Sequence, residues 1–154
     1  MWRSIGGMGV ISGLIFLAAC NTTAPGGGLR SDLDGNRSLW SEQGVTSYVY
    51  GLERVCYCPE VAQGPVKVTV QDGVVEGRAY VSSDTAVGPE FNELFPAVTG
   101  LFDLIEQAIE VAAFRIEVTY DPATGLPVDV FINYDQRVVD EELGFRVVEM
   151  PTGL

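Results

Sequence analysis

Residues 66–81 read Val66-Lys67-Val68-Thr69-Val70-Gln71-Asp72-Gly73-Val74-Val75-Glu76-Gly77-Arg78-Ala79-Tyr80-Val81. Two runs rich in β-branched residues flank Asp72-Gly73. Asp-Gly is a preferred pair for a two-residue hairpin turn, because both of its residues tolerate positive φ. The turn sets a register in which Gln71 faces Val74, Val70 faces Val75, Val68 faces Gly77 and Val66 faces Ala79. One face then carries Val66, Val68, Val70, Val75, Gly77, Ala79 and Val81. The other carries Lys67, Thr69, Gln71, Glu76, Arg78 and Tyr80. Binary pattern and turn chemistry agree, which specifies an antiparallel sheet with one buried face. Gly77 and Ala79 leave room for a helix on that face.

Upstream, residues 46–58 (TSYVYGLERVCYC) read as a strand stopped by Pro59. Ser38 to Gln43 reads as a short helix carrying Leu39 and Trp40, ended by Gly44. Downstream, residues 82–98 form a connector with Gly88, Pro89 and Pro96, holding a short turn at Glu90–Phe95. Leu101, Phe102, Leu104, Ile105, Ala108, Ile109 and Ala112 recur at helical spacing, with Thr99 as the expected N-cap. Asp103, Glu106, Gln107 and Glu110 lie on the opposite face, which reads as solvated. Phe114, Ile116, Val118 and Tyr120 then alternate with polar residues. Asp121-Pro122-Ala123-Thr124-Gly125 is a turn, Leu126 to Tyr134 returns as a strand, and Phe145 to Met150 adds a last one. The expected order is α-βββ-α-βββ. This is an α+β domain, an antiparallel sheet of about six strands with one main amphipathic helix packed on one face. The two halves have the form of a duplicated unit.

The N-terminus carries a different message. Met1 to Ser4 holds one positive charge, Ile5 to Leu17 is apolar and glycine-rich, and Leu17-Ala18-Ala19-Cys20 closes the run. This arrangement resembles a bacterial lipoprotein signal peptide, in which the cysteine becomes the first mature residue and carries lipid on its sulfur. The run is shorter than the roughly 20 apolar residues that a spanning helix needs. Two or three long acyl chains anchor stably where one is marginal. The expected organisation is a signal peptide over 1–19, a lipidated Cys20 with a flexible Gly/Pro tether over 20–36, and a single domain over 37–154. The expected location is the cell envelope, lipid-anchored and facing the periplasm or the exterior. Asn21 in place of Asp favours the outer membrane. Asp32-Leu33-Asp34-Gly35-Asn36 shares part of a calcium-loop pattern but lacks its distal glutamate, and reads as a turn.

Composition narrows function. The 154 residues hold 9 basic and 21 acidic side chains, a formal net charge of −12. Loss of residues 1–19 removes Arg3 and leaves 8 basic against 21 acidic residues, a charge of −13. No basic footprint for nucleic acid exists, and attraction to anionic headgroups is excluded on the same ground. Histidine is absent, which removes every Ser-His or Cys-His nucleophile pair and the commonest metal ligand. Lys67 is the single lysine.

Three candidate sites remain. Cys56-Tyr57-Cys58 puts two thiols on one strand face. Three readings stand open: a local disulfide of the kind an oxidising compartment favours, reduced thiols filling the core, or a functional redox or soft-metal pair. A disulfide would require a tight turn before Pro59, because residues i and i+2 of a full strand lie about 6.5–7 Å apart. Tyr48, Tyr50 and Tyr57 pack in the sheet or, where exposed, form a partner-binding surface. Asp140, Glu141 and Glu142, with Asp135 upstream, read as an acidic loop, with metal binding as the weaker alternative. No cofactor is called for.

Trp40, Tyr48-Val49-Tyr50, Cys56-Tyr57-Cys58-Pro59, the Val68–Gly73 turn, Leu101–Ile105, Tyr120-Asp121-Pro122-Ala123-Thr124-Gly125-Leu126-Pro127 and Asp140-Glu141-Glu142 together resemble a family of bacterial secreted proteins and lipoproteins known only as a domain of unknown function. The resemblance covers about residues 38–150. It implies an envelope location and one α+β domain, and it carries no catalytic residue. The expected function is a non-catalytic binding or structural lipoprotein. Its partners are the bilayer, through Cys20, and an envelope protein. The alternative is a thiol-redox or metal-handling protein centred on Cys56 and Cys58.

Overall fold

The computed structural model describes residues 27–138 and 142–153. Helix α1 spans Gly27–Glu42, and strands β1 Tyr48–Val55, β2 Val66–Gln71 and β3 Val74–Tyr80 follow. Helix α2 spans Val98–Glu110, followed by β4 Arg115–Tyr120, β5 Pro127–Asn133 and β6 Glu142–Gly153. Short 3₁₀ turns occupy Glu60–Ala62 and Pro89–Leu94. The six strands form one antiparallel sheet in the order β3-β2-β1-β6-β5-β4. This is the α+β architecture expected from the pattern. The order β3-β2-β1 beside β6-β5-β4 is what two α-βββ units give when set side by side.

The hairpin turn forms as its residues dictate: Asp72 has φ 49° and Gly73 φ 81°. Its register holds for two pairs only, Gln71 with Val74 and Val70 with Val75. A bulge then shifts the pairing, so that Thr69 faces Gly77, Val68 faces Arg78 and Val66 faces Tyr80. One extra residue in a strand reverses the facing of everything beyond it. Arg78 and Tyr80, expected beside Lys67, therefore lie on the face of Val66 and Val68. There Arg78 Nε donates to the Phe95 carbonyl at 2.6 Å, and Tyr80 packs on the core.

Helix α1 corrects the expected tether. Residues 27–36, including the Asp32–Asn36 stretch read as a turn, are helical, and Leu33 is fully buried. Helix and turn are both compatible with such polar residues. Burial of Leu33 and Trp40 in the common core decides for helix, as tertiary burial commonly overrides propensity. Gly125 (φ 76°) ends the β4–β5 turn beneath this helix, where a Cβ would collide with the Asn36 carbonyl oxygen. Asp121 Oδ1 accepts from the Ala123 and Thr124 amides and from the Thr124 hydroxyl, which closes the turn.

Helix α2 buries Val98, Leu101, Phe102, Ile105 and Ala108, as its spacing predicts. Its polar face is not simply solvated. Glu106 accepts from Arg30 and from Arg37 (2.8 Å), both on α1. Arg37 also reaches Asp103 (3.3 Å) and Arg30 approaches Glu110 (3.8 Å). As α1 advances from Arg30 to Arg37, its partners retreat from Glu110 to Asp103, so the helices run antiparallel. The opposite face of the sheet carries Glu53, Arg146 and Asp129 in a crosswise ion-pair row.

The hydrogen bond from Arg37, then that from Arg30, holds the Glu106 carboxyl below its ordinary value of 4.5. A carboxylate lowered in the folded state contributes stability that is present above its unfolded pKa and lost as pH falls through the folded one. Glu106→Gln is therefore expected to lower the urea midpoint at pH 7, with a narrower gap to the native chain at pH 3. An equal gap at both pH values would contradict this role.

Candidate functional site

β1 leaves the sheet after Val55, which pairs with Gly144 of β6. The chain turns sharply, and Cys56 and Cys58 are joined in a disulfide with Cα atoms 5.3 Å apart. The strand ends before both cysteines rather than running through Cys58. That brings them closer than an extended strand would, so the open reading resolves to the local disulfide. Tyr57, the residue between them, is 92% exposed. Pro59 then begins the 3₁₀ turn, and Gln63 Nε2 donates to the Cys58 carbonyl at 2.6 Å, tying the loop back to the fold.

Two hollows flank the loop. One of about 320 Å³ lies between Val55, Cys56, Tyr57, Phe131, Gln136 and Val138. The other, about 420 Å³, is floored by Cys58, Pro59 and Gln63. Beside them sits Arg54, which sequence reading passed over. Its guanidinium lies over the Phe145 ring, 6.0 Å from the centroid, and its Nη1 donates to the Ala62 carbonyl at 3.4 Å. Burial pulls its pKa below the ordinary value. Its Nε is buried without a partner, and no carboxylate pairs with it among the described residues. The signal was in the alternation: Arg54 has the same strand parity as the inward-facing Tyr48, Tyr50 and Leu52.

Of the three tyrosines, only Tyr57 is available to a partner. Tyr48 and Tyr50 are buried (2% and 0% exposed), as the sheet-packing reading expects, so the three tyrosines do not form the alternative joint partner surface. Their hydroxyls serve α2 instead. Tyr48 Oη accepts from the Val98 amide at 3.1 Å, and Tyr50 Oη donates to the Pro96 carbonyl. The helix starts at Val98 after Ala97, with no side-chain cap from its own segment. The tyrosine replaces the expected Thr99 cap. Burial raises the pKa of both, well above the ordinary value at Tyr50, so both act as neutral hydroxyls.

The acidic run is only partly within view, since Asp140 and Glu141 lie outside the described residues. Glu142 accepts from Asn133 Nδ2 at 3.3 Å, and Asp135 pairs with Arg137 at 2.7 Å, which lowers its pKa. Among the described residues no three of His, Cys, Asp and Glu are grouped to hold a metal ion. No described helix is long and apolar enough to cross a membrane. Cys20 also lies outside the described residues.

A family model for DUF6174 matches residues 32–151, from within α1 to within β6. The chain belongs to the DUF6174 family, a family of unknown function. No curated protein and no solved structure matches it. The DUF6174 region thus takes in β1 to β5, most of β6, the Cys56–Cys58 disulfide, α2 and Arg37 of α1, and leaves residues 1–31 and 152–154 outside.

What the loop can do chemically is limited to its disulfide and its aromatic. The pair closes a ring of three residues, for which chain entropy contributes about 1.5 kcal/mol. Replacing both cysteines of this DUF6174 domain by serine is expected to cost about that much in urea denaturation, with the far-ultraviolet circular dichroism of the sheet retained. Loss of the fold would show that the bridge holds more than its own turn.

Proposed function

We propose that this DUF6174 domain is the folded part of a bacterial envelope lipoprotein, a non-catalytic binding or structural module held at the membrane by an acylated Cys20. The observation that carries the reading is Leu17-Ala18-Ala19-Cys20 at the end of a short apolar run. Two features of the fold support it. The Cys56–Cys58 disulfide suits an oxidising compartment rather than the cytosol. Helix α1 begins seven residues after Cys20, so an anchored sulfur and a packed domain fit one chain. The absence of histidine speaks against the usual nucleophile–base pairs. The outward-facing partner is an envelope protein, and Asn21 favours the outer membrane.

The exposed position of the bridge favours a second reading, disulfide exchange. A substrate thiolate attacks one cysteine sulfur, the Cys56–Cys58 bond breaks, and the other sulfur leaves as thiolate. A second substrate thiolate then resolves the mixed disulfide, so two electrons pass from substrate to protein. Use of the reduced pair for a soft metal would require this reduction first.

Expression with an alkyne fatty acid tests both. The native chain is expected to carry the label in the membrane fraction, and Cys20→Ser to lose label and membrane association together. A Cys20→Ser chain that keeps both would overturn the lipoprotein reading. Accumulation of envelope proteins in mixed disulfides on Cys58→Ser would favour exchange over the non-catalytic module.

A further inference from the structure

The exposed apolar side chains are not spread evenly. Val55, Tyr57, Val61, Val111, Phe114 and Val138 are six of the eleven large exposed ones among the described residues. Strand register places them at one end of the sheet. Val55 pairs with Gly144, Asn133 with Glu142 and Arg115 with Asn133, so the end of β1, the start of β6, the end of β5 and the start of β4 form one rim. Phe114 extends this rim because its amide N–H donates a hydrogen bond to the Tyr134 carbonyl (3.4 Å), and Val111 follows directly on α2. Val61 joins because the Arg54 amide donates to the Gln63 carbonyl. Tyr57 and Phe114 are 92% and 56% exposed, and exposed aromatics of this kind suit a boundary between water and hydrocarbon.

The same end receives the N-terminal segment. Arg30, one turn into α1, contacts Glu106 and Glu110 in the last turns of α2. Gly27 therefore lies near the apolar rim. From Cys20 to Gly27 the chain makes seven steps, a reach of at most about 25 Å. A lipid anchor on Cys20 would hold this end, and not the Asp72-Gly73 turn, within that distance of a bilayer.

We propose that the rim formed by Val55, Tyr57, Val61, Val111, Phe114 and Val138 is a bilayer-docking face, seating the domain end-on against the membrane that holds Cys20. The proposal rests on the reading of Cys20 as acylated. The tether makes docking effectively intramolecular, so contacts too weak to recruit a free protein suffice once the anchor is in place. The net charge of −13 left after loss of residues 1–19 favours neutral, zwitterionic headgroups over anionic ones. Docked this way, the opposite end, with Val45, Val74 and Met150, points away from the membrane towards any partner.

The full acylated chain, reconstituted in phosphatidylcholine vesicles with brominated acyl chains, tests this. Trp40, buried in the core, is the only tryptophan after residue 19 and gives a constant background. Tyr57→Trp and Phe114→Trp are expected to lose most of their added emission to brominated lipid. Val74→Trp, at the far hairpin turn, is expected to keep its emission. Equal emission from all three variants overturns docking. So does protection of Y57W from aqueous acrylamide in native envelopes without quenching by lipid bromine, which would assign the rim to a protein. Intact mass of the same samples separates the two levels of the argument. An acylated Cys20 with unquenched variants overturns only the docking face, whereas an unmodified Cys20 overturns it together with the lipoprotein reading.

Discussion

Two buried hydroxyls on the central strand hold the layers of this protein in register. Tyr48 and Tyr50 point from β1 into the core, where the first caps the Val98 amide and the second donates to the Pro96 carbonyl. The start of α2 is thereby fixed over the middle of the sheet. Tyr48 also meets the Trp40 ring of α1 edge-on, with centroids 5.7 Å apart. One side chain thus touches both helices and the strand between them. A buried amide or carbonyl left without a partner costs about 1–3 kcal/mol, so this is a constraint on position as well as a source of stability.

The sheet's seam has a related logic. β1 and β6 are the strands most separated in sequence, and their pairing joins two α-βββ halves into one sheet. Each half contributes a helix to the same face, and Arg30 and Arg37 of one clamp Glu106 of the other. Charge and apolar packing lie on the same helix here, since α1 also buries Leu33 and Trp40. The outcome is a domain with two unlike ends. One carries the disulfide, Tyr57 and the beginning of α1. The other carries the hairpin turn.

Much of this was legible in the residues. Asp72-Gly73 gave the hairpin turn, the spacing from Leu101 to Ile109 gave α2, and Asp121 to Gly125 gave the β4–β5 turn. What was not legible depended on contacts between segments far apart. A bulge is invisible to a period-two pattern, so the pattern alone puts Arg78 and Tyr80 on the wrong face. Helix α1 extends further than its residues suggest, because Gly27, Gly28 and Gly35 argue against a helix locally, while the burial that favours one comes from segments distant in sequence. Tyr48 and Tyr50 resemble Tyr57 in sequence, and only the end of β1 at Val55 separates two core residues from a surface one. Cys56 and Cys58 were recognised as a pair, but their state depended on where the strand stopped. Cys20, the residue with the sharpest sequence signal, lies outside the described residues.

Urea denaturation of Tyr48→Phe, Tyr50→Phe and Tyr57→Phe tests the central claim most directly. Removing either buried hydroxyl leaves one backbone group of the α2 start unpaired, and each is predicted to cost about 1–3 kcal/mol. The exposed Tyr57 variant is predicted to stay within about 0.5 kcal/mol of the native chain. Tyr48 and Tyr50 variants as stable as the native protein would contradict the account, since the helix would then be held by apolar packing alone.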